Sequence, residues 1–219
     1  MSQVTQTPVA IAHDADATPD QPLRLHMTEE EFERFTDDEF NRKAEWVDGE
    51  VIVPMATSIK HANILLFLMT LMHLFCLKHK FGRVLGPDSQ IRFQALRRRR
   101  TPDILFLSNE RLHQIRETYV EGAPDLAVEI VSPDSVARDW REKYLEYEAA
   151  GVQEYWVVDP MAERVEAYAL NARQRYERLE MQAGKIASRV LPGFYLKPEW
   201  LWQDELLNPM DVLAELSAA

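Results

Sequence analysis

The sequence predicts a mixed α/β fold, a β-sheet flanked by two principal helices. Three observations carry this. An apolar stretch of helical length lies between Ser58 and Lys80. Two continuous apolar runs, Asp103 to Leu107 and Leu126 to Val131, have the character of central strands. Asp48-Gly49 separates two β-rich runs, as the positive φ angles of a tight hairpin turn require.

The elements follow in order. Residues 1–22 are rich in Ala, Thr, Asp and Pro, with almost no large apolar side chains, and read as a disordered leader. A single domain is expected over 23–219. Thr28 before Glu29-Glu30-Glu31 is an N-cap with acids in the first turn, and Phe32 and Phe35 follow at helical spacing. The hairpin runs from Glu45 to Val53. The long helix closes at Gly82 as a C-terminal stop. Strands are expected at 83–85, 89–94, 103–107 and 126–131. Ser132-Pro133-Asp134-Ser135 then breaks the pattern, and helical periodicity resumes through Trp140, Tyr144, Leu145 and Tyr147 up to Gly151. Further strands fall at 154–158, 164–170 and 176–179, and a short amphipathic helix lies within 199–217.

A chain of 219 residues, 46% apolar and 28% charged, is long enough for one sizeable core. The apolar run from Ile64 to Leu77 is interrupted by Thr70 and His73 and falls short of the roughly 20 residues that cross a bilayer, so it reads as a buried helix with no membrane role. No basic segment followed by an apolar one opens the chain, which makes a cytoplasmic location the default expectation. Cys76, alone in the apolar helix, reads as a core thiol. The net charge of −11 argues against a nucleic-acid partner until it is divided along the chain. Residues 1–50 hold 13 acids and 4 bases, leaving 23 and 21 of the chain's 36 and 25 for the remainder, a net of −2. Within that remainder Arg97-Arg98-Arg99-Arg100 precedes Pro102-Asp103. The run is placed either to neutralise phosphates or simply to form a solvated loop.

Acids inside apolar runs need compensation, because an unpaired buried carboxylate costs several kcal/mol. Asp103 opens one central strand and Glu129 lies within the next, so the two can sit side by side, with Glu45 at the start of the hairpin as a third oxygen donor. Hard oxygen ligands select Mg2+ or Mn2+, and magnesium prefers one or two carboxylates, waters and phosphate oxygens. Lys143, on the helix after Glu129, could reach back to stabilise charge on a phosphoryl group. Taken singly, each has a structural reading: Asp103 as a strand-end cap, Glu45 and Glu129 as salt-bridge partners, Lys143 as a surface lysine. Asp125, in the second Pro-Asp, reads as a turn or strand-start residue. No Gly-x-Ser-x-Gly elbow accompanies Ser132 or Ser135. Tyr155-Trp156 belongs to a buried strand rather than a base-stacking platform.

The series Glu45-Trp46-Val47-Asp48-Gly49-Glu50-Val51, His61, Thr101-Pro102-Asp103, Ala123 to Pro133, Lys143 with Tyr147, and Gly151 to Pro160 resembles the Uma2 family, within the PD-(D/E)XK restriction-endonuclease-like superfamily. The resemblance spans roughly Leu25 to Leu196. It implies a restriction-endonuclease-like fold, a central mixed β-sheet flanked by helices, and a magnesium-dependent DNA endonuclease whose metal site is Glu45, Asp103 and Glu129. It departs from the superfamily at Val131, where a lysine usually stands two residues after the strand acid. The resemblance implies that Lys143 has taken over from the following helix. His61 matches a family histidine, to be weighed against a capping or core role. A catalytically silent module for nucleic-acid or protein interaction is the alternative. Symmetric double-strand cutting would require two sites and hence a homodimer.

Overall fold

The computed structural model describes residues 21–38 and 41–218, so the expected leader lies, but for its last two residues, outside the described residues. Strand β1 (Leu23–His26) leads into helix α1 (Glu29–Thr36) through the expected cap. The Glu31 N–H donates to Thr28 Oγ1 at 3.3 Å and the Thr28 N–H donates to Glu31 Oε2 at 2.8 Å, a reciprocal capping box. Asp48 and Gly49, at φ of +50° and +99°, turn β2 (Glu45–Val47) into β3 (Glu50–Val53) as the sequence predicts. Helix α2 (Ile59–His79) starts at Ser58, whose hydroxyl accepts the His61 N–H at 3.1 Å. Its stop differs from the expected one, because Lys80, at φ +57°, makes the left-handed turn. Gly82 instead opens β4 (Gly82–Leu85), where a Cβ would stand 2.0 Å from the Leu107 carbonyl oxygen. Glycine is needed there for close strand approach.

Next come β5 (Gln90–Phe93), β6 (Arg98–Arg100), β7 (Ile104–Ser108), β8 (Tyr119–Glu121) and β9 (Leu126–Ile130). A π-helical turn, Arg138–Glu142, runs into α3 (Lys143–Ala150), which ends on Gly151 at φ +83°. The chain closes with β10 (Glu154–Asp159), β11 (Arg164–Leu170), β12 (Tyr176–Arg178), β13 (Ile186–Ala187), β14 (Tyr195–Leu196) and α4 (Pro209–Ala218).

The mixed α/β class holds, but the strands form two six-stranded sheets and a small pair where one central sheet was expected. The first sheet has the order β1-β3-β2-β6-β5-β8 and the second β12-β11-β10-β9-β7-β4, with β13 and β14 paired apart. Only β5–β8 and β9–β10 are parallel among these pairs, so both large sheets are mixed.

Alternation along β9 divides the interior. Leu126, Val128 and Ile130 join the core beneath α2 and α4, while Ala127 and the following Val131 join a second core with Tyr147 of α3 and Ile91 and Phe93 of the first sheet. Helix α2 is long and apolar enough, by length and composition, to cross a membrane. Here Ile64, Phe67, Leu68, Leu71, Met72 and Phe75 are buried in the main core, each side chain worth about 1.5–3 kcal/mol of burial. The arginine run is not a solvated loop. Arg98–Arg100 form β6, between β2 and β5, and Arg99 and Arg100 are 3% and 0% exposed.

A candidate active site between the two sheets

Glu129 occupies the fourth position of β9, on the face that alternation turns toward α3 and the first sheet. An apolar strand flanked by apolar strands buries that carboxylate, and the structure compensates it locally. The Tyr147 hydroxyl donates to Glu129 Oε1 at 2.7 Å, and Lys143 Nζ lies 2.9 Å from Oε2. Lys143 and Tyr147, four residues apart on α3, present one helical face to the same acid. The Lys143 ammonium also lies 3.0 Å from Glu45 Oε1 and 3.1 Å from Asp139 Oδ1. Glu45 reaches it from β2, and Asp139 from the π-helical turn. All four side chains are buried.

Asp103 precedes β7, and its Oδ2 accepts the Ile130 N–H at 2.7 Å. The peptide next to Glu129 therefore holds Asp103 in place, and the two acids expected to neighbour one another do so. His61 Nε2, from the first turn of α2, lies 3.4 Å from the same Asp103 oxygen. The histidine thus belongs to the site as a partner of Asp103, and its Nδ1 is buried without a hydrogen-bond partner.

The expected third oxygen donor is otherwise engaged. Besides Lys143, Glu45 Oε1 accepts the Thr101 N–H at 3.3 Å. Its Oε2 accepts from Arg100 at 2.8 Å and stands 3.6 Å from Arg138 Nε. Glu45 is a counter-ion for three cations rather than a ready metal ligand. The arginine run is also reassigned. Arg100 donates twice to Glu146 of α3, at 2.7 and 2.9 Å, and Arg98 donates to the same carboxylate at 3.0 Å. Arg99 pairs with Glu29 at 2.9 Å, with Glu33, and with Gln90 at 3.0 Å. Arg97, exposed, pairs with Asp48 at 2.9 Å. The three strand arginines pair with carboxylates of the fold, Arg99 and Arg100 buried and Arg98 partly exposed, which argues against the phosphate role expected of the run.

Burial and charge set the ionisation of this group. Burial opposes the charge of Glu45, but Lys143, Arg100 and Arg138 outweigh it and pull its carboxyl down to about 2. Burial pushes Glu129 up to about 8 against the pull of Lys143, with Asp139, Asp103 and Glu45 adding repulsion. Asp139 is raised by burial as well, despite Lys143, Ser135 and Arg138. Lys143 stays charged, because Asp139, Glu129 and Glu45 together overcome its burial. Burial and mutual repulsion thus favour the protonated forms of Glu129 and Asp139, while Glu45 stays charged among its three cations.

A divalent cation beside Glu129 would favour the charged form of that carboxyl. Among the described residues no group of three or more His, Cys, Asp or Glu side chains is arranged to hold a metal ion. A magnesium ion, however, needs only one or two carboxylates with waters and phosphate oxygens. Asp103 and Glu129 are the two carboxylates that could serve such an ion, with Tyr147 and Lys143 already on the oxygens of Glu129; Glu45 is held by three cations.

Asp139 was not foreseen from the sequence. It lies in the π-helical turn, four residues from Lys143 and four from Ser135, whose hydroxyl donates to it. Asp125 is the strand-start residue expected: it accepts the Ser108 N–H at 2.6 Å and pairs with Arg111 at 3.0 Å. Tyr155 and Trp156 are buried on β10, also as expected.

Comparison with known proteins agrees with this geometry. The family model Uma2, described as "putative restriction endonuclease", matches residues 29–199. No curated protein matches. A solved structure described as a "putative nuclease belonging to DUF820" from Anabaena variabilis is similar at a TM-score of 0.63 and 19% identity, over 78% of this chain and 96% of that one. At that identity the likeness establishes a shared fold. The family match covers most of the chain, the motif residues Glu45, Asp103, Glu129 and Lys143 converge in one pocket, and the chain belongs to the Uma2 family.

Proposed function

We propose that this chain is a magnesium- or manganese-dependent endonuclease that hydrolyses phosphodiester bonds of DNA at the Asp103–Glu129 pocket. The observation that supports it most is the Lys143 ammonium, 2.9 Å from Glu129, arriving from α3 where Val131 offers no charge. Asp103 and Glu129 would hold the cation. When bound, the ion supplies Lewis-acid polarisation of the phosphoryl group and activation of water. Lys143 stabilises charge developing on the phosphoryl oxygens, and its own position is fixed by Glu45 and Asp139. Tyr147 orients the Glu129 carboxyl, and His61 with the Ile130 N–H orients Asp103. Symmetric double-strand cutting by such a site calls for a homodimer, to be tested by sedimentation.

The test is cleavage of supercoiled plasmid in magnesium and in manganese. The wild type nicks or linearises it, and Asp103→Ala does not while still unfolding cooperatively above the assay temperature. Undiminished cutting by the variant would sink the proposal.

A second reading, a catalytically silent module that binds nucleic acid, draws support from the three carboxylates already gathered on Lys143. It predicts salt-dependent DNA binding with no product under any divalent metal.

A further inference from the structure

With Arg98, Arg99 and Arg100 turned inward, a nuclease of this fold must meet the phosphate backbone elsewhere. We propose that Arg164 and Arg178, set on the outer strands of the second sheet, form the track that carries the DNA backbone into the pocket; the inference rests on the nuclease reading above.

Three relations place the track. First, strand register lines it up with the site. Val157 pairs with Glu129 on one side and with Glu166 on the other, so Glu129 and Glu166 stand in one row on the same sheet face. They are two strand spacings apart, about 10 Å, a reach of about three nucleotides at 3.4 Å each along one strand. Second, the guanidinium groups there are exposed. Arg164 and Arg178 are each 54% exposed in the side chain, and both meet one buried carboxylate, Glu166. Two guanidinium groups share Glu166, Asp159 stands opposite Arg164 as a second counter-charge, and each arginine keeps part of its guanidinium facing solvent. Third, Arg164 is held in place rather than left to wander. Its guanidinium stacks on Trp140, 4.7 Å from the ring centroid, and the Trp140 indole N–H donates to Asp159 at 3.3 Å. Trp140 follows Asp139, the acid 3.1 Å from Lys143, so the same π-helical turn that sets the pocket also sets this arginine. A stacked, pre-oriented guanidinium with free donors is suited to a phosphate oxygen pair.

The acids nearby set limits on the partner. Glu166 and Asp159 are engaged within the fold, by the two arginines and by Trp140 and the Met161 and Ala162 N–H groups. The two arginines are balanced by these two acids, so the face offers a narrow row of pre-placed donors rather than a broad positive field, which suits a single backbone strand.

The experiment measures binding of a fluorescein-labelled duplex of mixed sequence by anisotropy, in EDTA, across a salt series. Arg164→Ala/Arg178→Ala binds at least about tenfold more weakly, with a salt slope shallower by about two. Arg164→Lys/Arg178→Lys, which retains the charge, recovers most of the binding. Arg175→Ala, an exposed arginine at the opposite end of β12 paired with Glu148, stays within about twofold of the wild type. Should the alanine pair unfold, Arg164→Gln/Arg178→Gln gives the same reading with the stems kept. Wild-type affinity in the double variant, an equal loss in Arg175→Ala, or no duplex binding by the wild type overturns the track. A wild type that binds through these arginines but cuts nothing in magnesium or manganese leaves the track standing and refutes the nuclease reading instead.

Discussion

Lys143 Nζ lies 2.9 Å from Glu129 Oε2, a contact made by a helix onto a strand whose own next position on the same face, Val131, is apolar. The ammonium replaces, from α3, a charge the strand does not carry. It also neutralises Glu45 and Asp139, so removing it should be felt in stability before it is felt in chemistry. Lys143→Met leaves three buried acids short of a counter-ion and is expected to cost about 3–5 kcal/mol in urea unfolding. Adding Glu129→Gln to that variant should return part of the loss.

The arginine run gives a contrast within four residues. Arg100, fully buried, serves Glu45 and Glu146, and Arg100→Met should destabilise by about 3–5 kcal/mol. Arg97 pairs with Asp48 in the open, the side chains 68% and 57% exposed, and Arg97→Ala should cost less than about 1 kcal/mol. Equal costs in denaturant unfolding would contradict the inward assignment of β6.

Glu45 makes the fold sensitive to acid. Its carboxyl is held at about 2, against 4.5 unfolded, so its stabilisation is complete above the unfolded value and is lost as pH falls through the folded one. The difference is worth about 3 kcal/mol between roughly pH 5 and pH 2. Unfolding temperature should drop across that window in the wild type, and Glu45→Gln, less stable at neutral pH, should show a flatter acid limb.

Burial pushes the Cys76 thiol up to about 12, within the core beneath α2. The thiolate is the reactive form, so a disulfide reagent at about pH 8 should leave the native protein unmodified and titrate one thiol once denaturant is added. Rapid labelling of the native protein would place α2 differently.

Much of this was legible because local chemistry and burial agreed. The Asp48-Gly49 turn, the Thr28–Glu31 box and the apolar runs around Asp103 and Glu129 each state their structure in a few residues. The arginines of β6 did not, because charge argues for solvent, whereas their partners Glu29, Glu45 and Glu146 come from distant parts of the chain. That strand also explains why one expected sheet became two: β6 joins the hairpin to β5, and nothing in its composition favours a strand. Asp139 was hidden for another reason. Its i,i+4 spacing to Lys143 would place both on one helical face, but the Ser132-Pro133-Asp134-Ser135 break left the start of that helix undefined and no apolar run marked Asp139 as buried.

The most direct test of the central claim, that Asp103 and Glu129 hold a divalent cation beside Lys143, is calorimetric titration of manganese and magnesium into the wild type and into Asp103→Ala, each with and without a non-cleavable DNA analogue. The account predicts saturable binding in the wild type that is lost in the variant while the variant still unfolds cooperatively. Identical titrations for the two proteins, or no binding by the wild type even with DNA present, would contradict it and assign the acids to holding the fold.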